Sequence, residues 1–165
     1  FGLADGAIVH DPDDEVLAFY DSGVTTAKPV FEARFHNPYP TSEGTWNTGF
    51  LFRNSNFSEF QAVFITGSGT WYHYVRTGNV ATQQQIRRES SADIDTSSSG
   101  SNHLRVTVLE DDGWFFINGK LAGELDLSMW DKAGNVGAIG SWFNGSEIAG
   151  KATVFEDFNV WSLVQ

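Results

Sequence analysis

Short alternating runs of apolar and polar residues recur along this chain, separated by Gly, Asn, Asp and Ser. No stretch sustains the i, i+3, i+4, i+7 spacing over the dozen residues an amphipathic helix needs. Val30 to Phe35 alternates, with Phe31, Ala33 and Phe35 on one face and Glu32 and Arg34 on the other. Gly49 to Arg53 repeats this, setting Phe50 and Phe52 against Leu51 and Arg53. Phe60, Ala62 and Phe64 make a further apolar face, and Trp71 to Arg76 reads as an aromatic strand after the Gly67-Ser68-Gly69 turn. Leu104, Val106 and Val108 alternate with Arg105 and Thr107, and Trp114 to Ile117 returns after Asp111-Asp112-Gly113. Asn118-Gly119 then marks a tight hairpin, because both residues accept the positive φ of a type I′ turn. Lys120 to Leu127, Asn135 to Phe143 and Thr153 to Leu163 complete the series. Roughly ten to thirteen strands, with a turn signal about every 8–12 residues, predict an all-β sandwich or barrel. Two segments break the pattern: Ser90 to Asn102, with six Ser, predicts a mobile polar connection, and Ser128 to Lys132 a single turn of helix. Neither a repeat nor a linker is visible, so residues 1–165 read as one domain.

Composition narrows the classes of function. Apolar residues make up 41 % and aromatic residues 15 % of the 165, enough buried surface to offset the entropy of ordering the chain. The absence of Cys removes disulfide scaffolds, thiolate metal sites and thiol nucleophiles. No apolar run reaches the ~18 residues of a membrane span. A net charge of −11 disfavours nucleic acid, whose binding works largely through cations on phosphates, and equally disfavours anionic lipid. Acids gather at Asp11, Asp13, Asp14 and Glu15, and again at Glu110, Asp111 and Asp112. The chain starts at Phe1 with no signal-peptide core and reads as a mature or excised segment.

Three stretches taken together carry a resemblance: Trp46 to Arg53 (WNTGFLFR), His103 to Gly123 (HLRVTVLEDDGWFFINGKLAG) and Gly134 to Leu163, which opens GNVGAIGSWFNG and ends TVFEDFNVWSL. They resemble the concanavalin A-like jelly rolls, and within them laminin-G-like domains and the jelly-roll domain of bacterial 3-keto-disaccharide hydrolases, levan-binding modules and bacterial receptor ectodomains. The resemblance implies two antiparallel sheets of six or seven strands packed face to face, with most of the 14 Phe between them. It also implies a concave front sheet on whose outer side, and at whose rim loops, sugar is held. Such a fold hosts lectins, sugar-binding modules, glycosidases and adhesion domains, so the site decides the function.

Retaining glycosidases of this kind carry a Glu-x-Asp-x-x-Glu strand whose alternation sets the acids on one face, about 5–5.5 Å apart. That motif is missing. Glu124-Leu125-Asp126 has its first half only, and Asp93-Ile94-Asp95 has no acid suitably placed after it. His10, His36, His73 and His103 stand on separate elements without zinc spacing, and no Gly-x-Ser-x-Gly elbow is present. The pattern favours a binding module over an enzyme, with Glu124 and Asp126 the first acids to test in the alternative.

Sugar recognition combines aromatic faces for the apolar side of a pyranose with fixed donors and acceptors for its hydroxyls. If Trp71, His73 and Val75 face inward, then Tyr72, Tyr74 and Arg76 line the concave side. Arg53, opposite the Phe50/Phe52 face, joins them with a planar fork suited to two oxygens. Trp142, Asn144 and Glu147 close the rim. Trp114 and Trp161 read as core or sheet-packing residues, Trp130 as a pin for its loop, and Trp46 as either core or sugar-binding. Many jelly rolls of this type hold calcium on the convex side between N-terminal residues and an acid of the last strand. Asp157 matches that acid, with Asp5 or Asp11 approaching it; calcium takes oxygen ligands of this sort. The expectation is a lectin-like, non-catalytic module of a secreted or cell-surface bacterial protein, its partner a poly- or oligosaccharide. A glycoside hydrolase or lyase of the same fold is one alternative, and an adhesive domain binding protein or its own copies another.

Overall fold

A computed structural model describes residues 4–10, 18–140 and 147–163. Among them are twelve strands: β1 (Ala4–Val9), β2 (Ala18–Thr26), β3 (Pro29–His36), β4 (Asn47–Ser55), β5 (Glu59–Thr66) and β6 (Thr70–Thr77), then β7 (Gln83–Ser90), β8 (Ser101–Leu109), β9 (Asp112–Ile117), β10 (Lys120–Asp126), β11 (Gly134–Gly140) and β12 (Ala152–Ser162). They form two antiparallel sheets of six, in the orders β1-β12-β3-β8-β9-β10 and β2-β11-β4-β5-β6-β7. Of the sandwich or barrel that the pattern predicts, it is the sandwich, with the two six-stranded sheets that the resemblance implies. Three strands fall outside the expected set, β1, β2 and β7, none of which carries a clean apolar alternation. The segment after Leu127 forms a turn, with Trp130 N–H donating to Leu127 O at 3.2 Å, and no helix.

Alternation puts one face of each strand between the sheets. From the first sheet come Phe31, Ala33, Phe35, Leu104, Val106, Val108, Phe115, Ile117, Leu125, Phe155 and Phe158. The second contributes Phe50, Phe52, Val63, Ile65, Trp71, Val136 and Ala138. Phe31 meets Phe50 edge-on at 4.9 Å and tilts against Phe52 at 5.3 Å, geometries in which a ring edge meets a ring face. Strands 4 and 5 approach so closely that a Cβ on Gly49 would stand 2.2 Å from Val63 O, and only glycine fits there.

Two expectations are corrected. Trp161 is 44 % exposed and Trp114 half-buried, both on the outer face of the first sheet, since Phe158 and Val160 or Phe115 and Ile117 take the inward positions. The serine-rich connection is tied down. Asn37 Nδ2 donates to Asp95 O and Ser97 O, Asp95 N–H donates to Asn102 Oδ1, and Asn118 Nδ2 donates to Asp93 O. Asn118 and Gly119 have φ of 52° and 81°, as the hairpin reading requires.

Candidate functional site

The outer face of the second sheet carries its own apolar cluster, Leu51, Phe60, Ala62, Phe64 and Ile139, with Phe19, Tyr72 and Tyr74 packed on it. On β6, Trp71, His73 and Val75 point inward and are buried, while Tyr72, Tyr74 and Arg76 point outward and are half-buried. That alternation is as predicted. Register fixes their neighbours in three rows: Phe64, Tyr72 and Arg88; Ala62, Tyr74 and Gln85; Phe60, Arg76 and Gln83.

The rows explain what this face offers a ligand. Phe64 and Tyr72 are nearly parallel at 5.3 Å between centroids, and Phe64 and Tyr74 at 5.8 Å. Arg88 lies 5.5 Å from the Tyr72 centroid on the neighbouring strand, and Arg76 lies 4.7 Å over Phe60. Near-parallel rings at such separations are offset from one another. The row carries tyrosine rings with their hydroxyls, and guanidinium groups, on the outer face. Tyr74 Oη donates to Gln85 Oε1 at 3.0 Å, and Arg76 donates to Gln83 Oε1 at 2.6 Å and Phe57 O at 3.2 Å. Burial, and the neighbouring Tyr72, push the Tyr74 phenol up, and burial pushes the Arg76 guanidinium down.

Two features bound this patch. Its floor is closed, since Leu51, Ala62, Phe64 and Ile139 have no exposed surface. At the Tyr72 end opens a depression of about 240 Å³ lined by Thr45, Trp46, Asn47, Thr66, Gly67, Ser68 and Tyr72. The Trp46 indole N–H beside it is buried and has no acceptor among the described residues.

Arg53 does not join the tyrosines. It has a φ of 50° at a bulge between Phe52 and Ser55, so the alternation that would send it outward ends there. Its buried guanidinium donates to four main-chain carbonyls: Ala27 at 3.2 Å, Leu127 at 3.4 Å, Trp130 at 2.9 Å and Glu110 at 2.5 Å. Trp130 Nε1 donates back to Arg53 O at 2.9 Å, so Trp130 does pin its loop. Burial pushes the guanidinium down, while Asp131, Asp111 and Glu110 hold it up. Arg53 is a brace for three loops.

Glu147 is buried rather than on the rim. Its carboxylate lies 3.0 Å from His10 Nδ1 and accepts from Asn47 Nδ2 at 2.7 Å, while His10 Nε2 meets Thr153 Oγ1 at 2.7 Å. No local motif announces this chain of polar groups, because its members are brought together from four elements. Trp142, Asn144 and Asp11 lie outside the described residues.

Asp93, Asp95 and Asp126 have visible structural tasks. Glu124 and Asp126 stand exposed on β10, the edge of the other sheet. Asp126 Oδ1 accepts from Ser128 N and Oγ at 3.1 and 2.6 Å, and these bonds hold its carboxyl below the usual range. Asp95 is held down likewise by Ser97, and Asp93 pairs with Lys120 at 2.5 Å. The structure does bring Asp5 to Asp157, at facing bulges of β1 and β12: Asp5 Oδ1 accepts from Asp157 N–H at 2.9 Å. Calcium needs about six to eight oxygens. Among the described residues no three His, Cys, Asp or Glu stand together as a metal site.

Solved structures similar to this chain share its architecture. The carbohydrate-binding module CBM66 from Bacillus subtilis is 11 % identical, with 96 % of this chain and 94 % of that one covered and a TM-score of 0.65. Sheep galectin-11, in complex with glycerol, is 9 % identical over 88 % and 96 % of the two chains, with a TM-score of 0.59. The endo-β-1,3-glucanase of Pyrococcus furiosus is 13 % identical over 98 % and 74 %, with a TM-score of 0.61. No family model and no curated protein sequence matches this chain. Identities this low establish the fold alone, a jelly-roll sandwich of two antiparallel sheets.

Proposed function

We propose that the protein is a non-catalytic module, secreted or held at the cell surface, that binds glycan on the outer face of the second sheet at its β6–β7 end. The observation that carries this reading is the row of outward polar groups Tyr72, Tyr74, Arg76, Gln85 and Arg88, set on a rigid apolar floor and running into the Trp46–Ser68 depression. A sugar is held by hydrogen bonds to fixed donors and acceptors, and side chains already packed against one another lose little entropy on binding. The similar structures include a carbohydrate-binding module and a galectin, which supports the ligand class. What supports a non-catalytic role is the missing paired-acid strand, together with the placement of Glu124 and Asp126 on the other sheet.

A glycan array followed by titration of the best ligand tests this reading. Tyr72→Ala and Tyr74→Ala are each expected to weaken binding about tenfold or more, the effect of losing one well-made contact of ~1.4 kcal/mol. Trp161→Ala, an exposed ring on the opposite sheet, is expected to leave affinity unchanged. Full binding by both tyrosine variants contradicts the assignment of this face.

A further inference from the structure

Each arginine on the first sheet stands across from a glutamate: Arg105 opposite Glu32, and Arg34 opposite Glu156. On the second sheet Arg87 pairs with Glu89 at 2.7 Å. Arg76 and Arg88 break this rule. Arg76 has Phe60 and Gln83 as cross-strand neighbours, and Arg88, on the edge strand, has Tyr72. Neither pairs with a carboxylate among the described residues. Arg88 is exposed, with its guanidinium at the Tyr72 ring. In a chain of 10 basic and 21 acidic residues, two arginines on one face without a carboxylate partner leave the β6–β7 end of that face locally positive.

We infer that this face reads negative charge, and that its ligand is a polyuronate whose carboxylate is taken by the Arg88 fork, with Arg76 a second positive group two rows further along the same face. The inference rests on the glycan-binding reading above and names the class of glycan. Two physical arguments carry it. Charge-assisted hydrogen bonds, roughly twice as strong as neutral ones, add affinity that the Tyr72 hydroxyl beside Arg88 alone does not supply. A guanidinium also offers parallel N–H groups that match the two coplanar oxygens of a carboxylate. The overall charge of −11 does not oppose this at contact range, because physiological salt screens exposed charges beyond about 8 Å.

Affinity electrophoresis in gels containing alginate, polygalacturonate or hyaluronate, each beside its methyl-esterified form, tests the inference, with a sulfated galactan and a neutral galactan as further arms. Retardation by a polyuronate is expected, weakened about tenfold by esterification and by Arg88→Gln, with Arg88→Lys intermediate because it keeps charge but loses the fork. Thermal melts of both variants are expected to match the parent, since Arg88 is exposed. Equal retardation by ester and acid, or an Arg88→Gln variant that binds as the parent does, overturns the inference and leaves glycan binding standing. Preference for the sulfated galactan over every polyuronate overturns it as well. Failure of every glycan to retard the protein removes both the inference and the reading beneath it.

Discussion

Replacing Arg53 by Met is expected to cost the fold roughly 3–5 kcal/mol, measured by urea denaturation at pH 7, with no direct part for Arg53 in ligand contact. The side chain fits the same volume, so the loss reads the hydrogen bonds. Leu127 O and Trp130 O keep a second donor in Gln61 Nε2, at 3.3 Å each. Ala27 O and Glu110 O lose the donor that Arg53 supplies. A buried carbonyl left without a donor costs about 1–3 kcal/mol, and the bracing of residues 27, 110 and 127–130 goes with it. Arg53→Lys is expected to recover only part of this, because an ammonium cannot span acceptors spread around a planar fork. A loss below about 1 kcal/mol in the Met variant contradicts the bracing role.

The second large effect is on acid stability. His73 is buried between the sheets, its Nε2 2.8 Å from Gln61 Oε1 and its Nδ1 without a partner among the described residues. Burial pushes the imidazole down from 6.5 to about 4, with Asp126 raising it and Arg87 lowering it. The unfolded chain therefore takes up this proton at higher pH than the folded one. Above 6.5 both states are neutral and nothing is lost. As pH falls from 6.5 to about 4 the unfolded state is favoured progressively, by about 3 kcal/mol in all. Asp95 and Asp126, held down by Ser97 and Ser128, add losses only as pH drops below their ordinary 3.8. His73→Leu is expected to cost about 1 kcal/mol at pH 7 through the lost Gln61 bond, yet to flatten the stability profile between pH 6.5 and 4.5. Parallel profiles for parent and variant contradict the account of His73.

Much of this architecture is written in the alternation of the chain. The inward sides of β3, β4 and β8, the turn at Asn118-Gly119 and the outward set on β6 all follow from period-two reading. Where that reading stops, a single backbone event is responsible. Arg53 takes a left-handed conformation at a bulge, and its four acceptors come from residues far apart in sequence, so no spacing signals it. In β12 the signal was present: two residues between Phe155 and Phe158 mark the bulge at Asp157, after which Trp161 must point outward. Strand β7, with its run of Gln and Arg, lacks an apolar face because it is an edge strand covering little core. For the same reason Arg88 and Gln85 were not visible as site residues, although Arg88 shares a row with Tyr72. The stacking of Phe64, Tyr72 and Tyr74 is equally hidden, since composition counts rings and not the direction of their faces.

The central claim is that glycan is held where β6 and β7 face outward. Amide and side-chain chemical shifts of the isotopically labelled protein, titrated with an oligosaccharide of the best-binding glycan, test it most directly. The account predicts shifts gathered on Tyr72, Tyr74, Gln85 and Arg88, with Trp114 and Trp161 on the opposite sheet unmoved. Shifts that gather on the outer face of the first sheet, leaving β6 and β7 unchanged, contradict it.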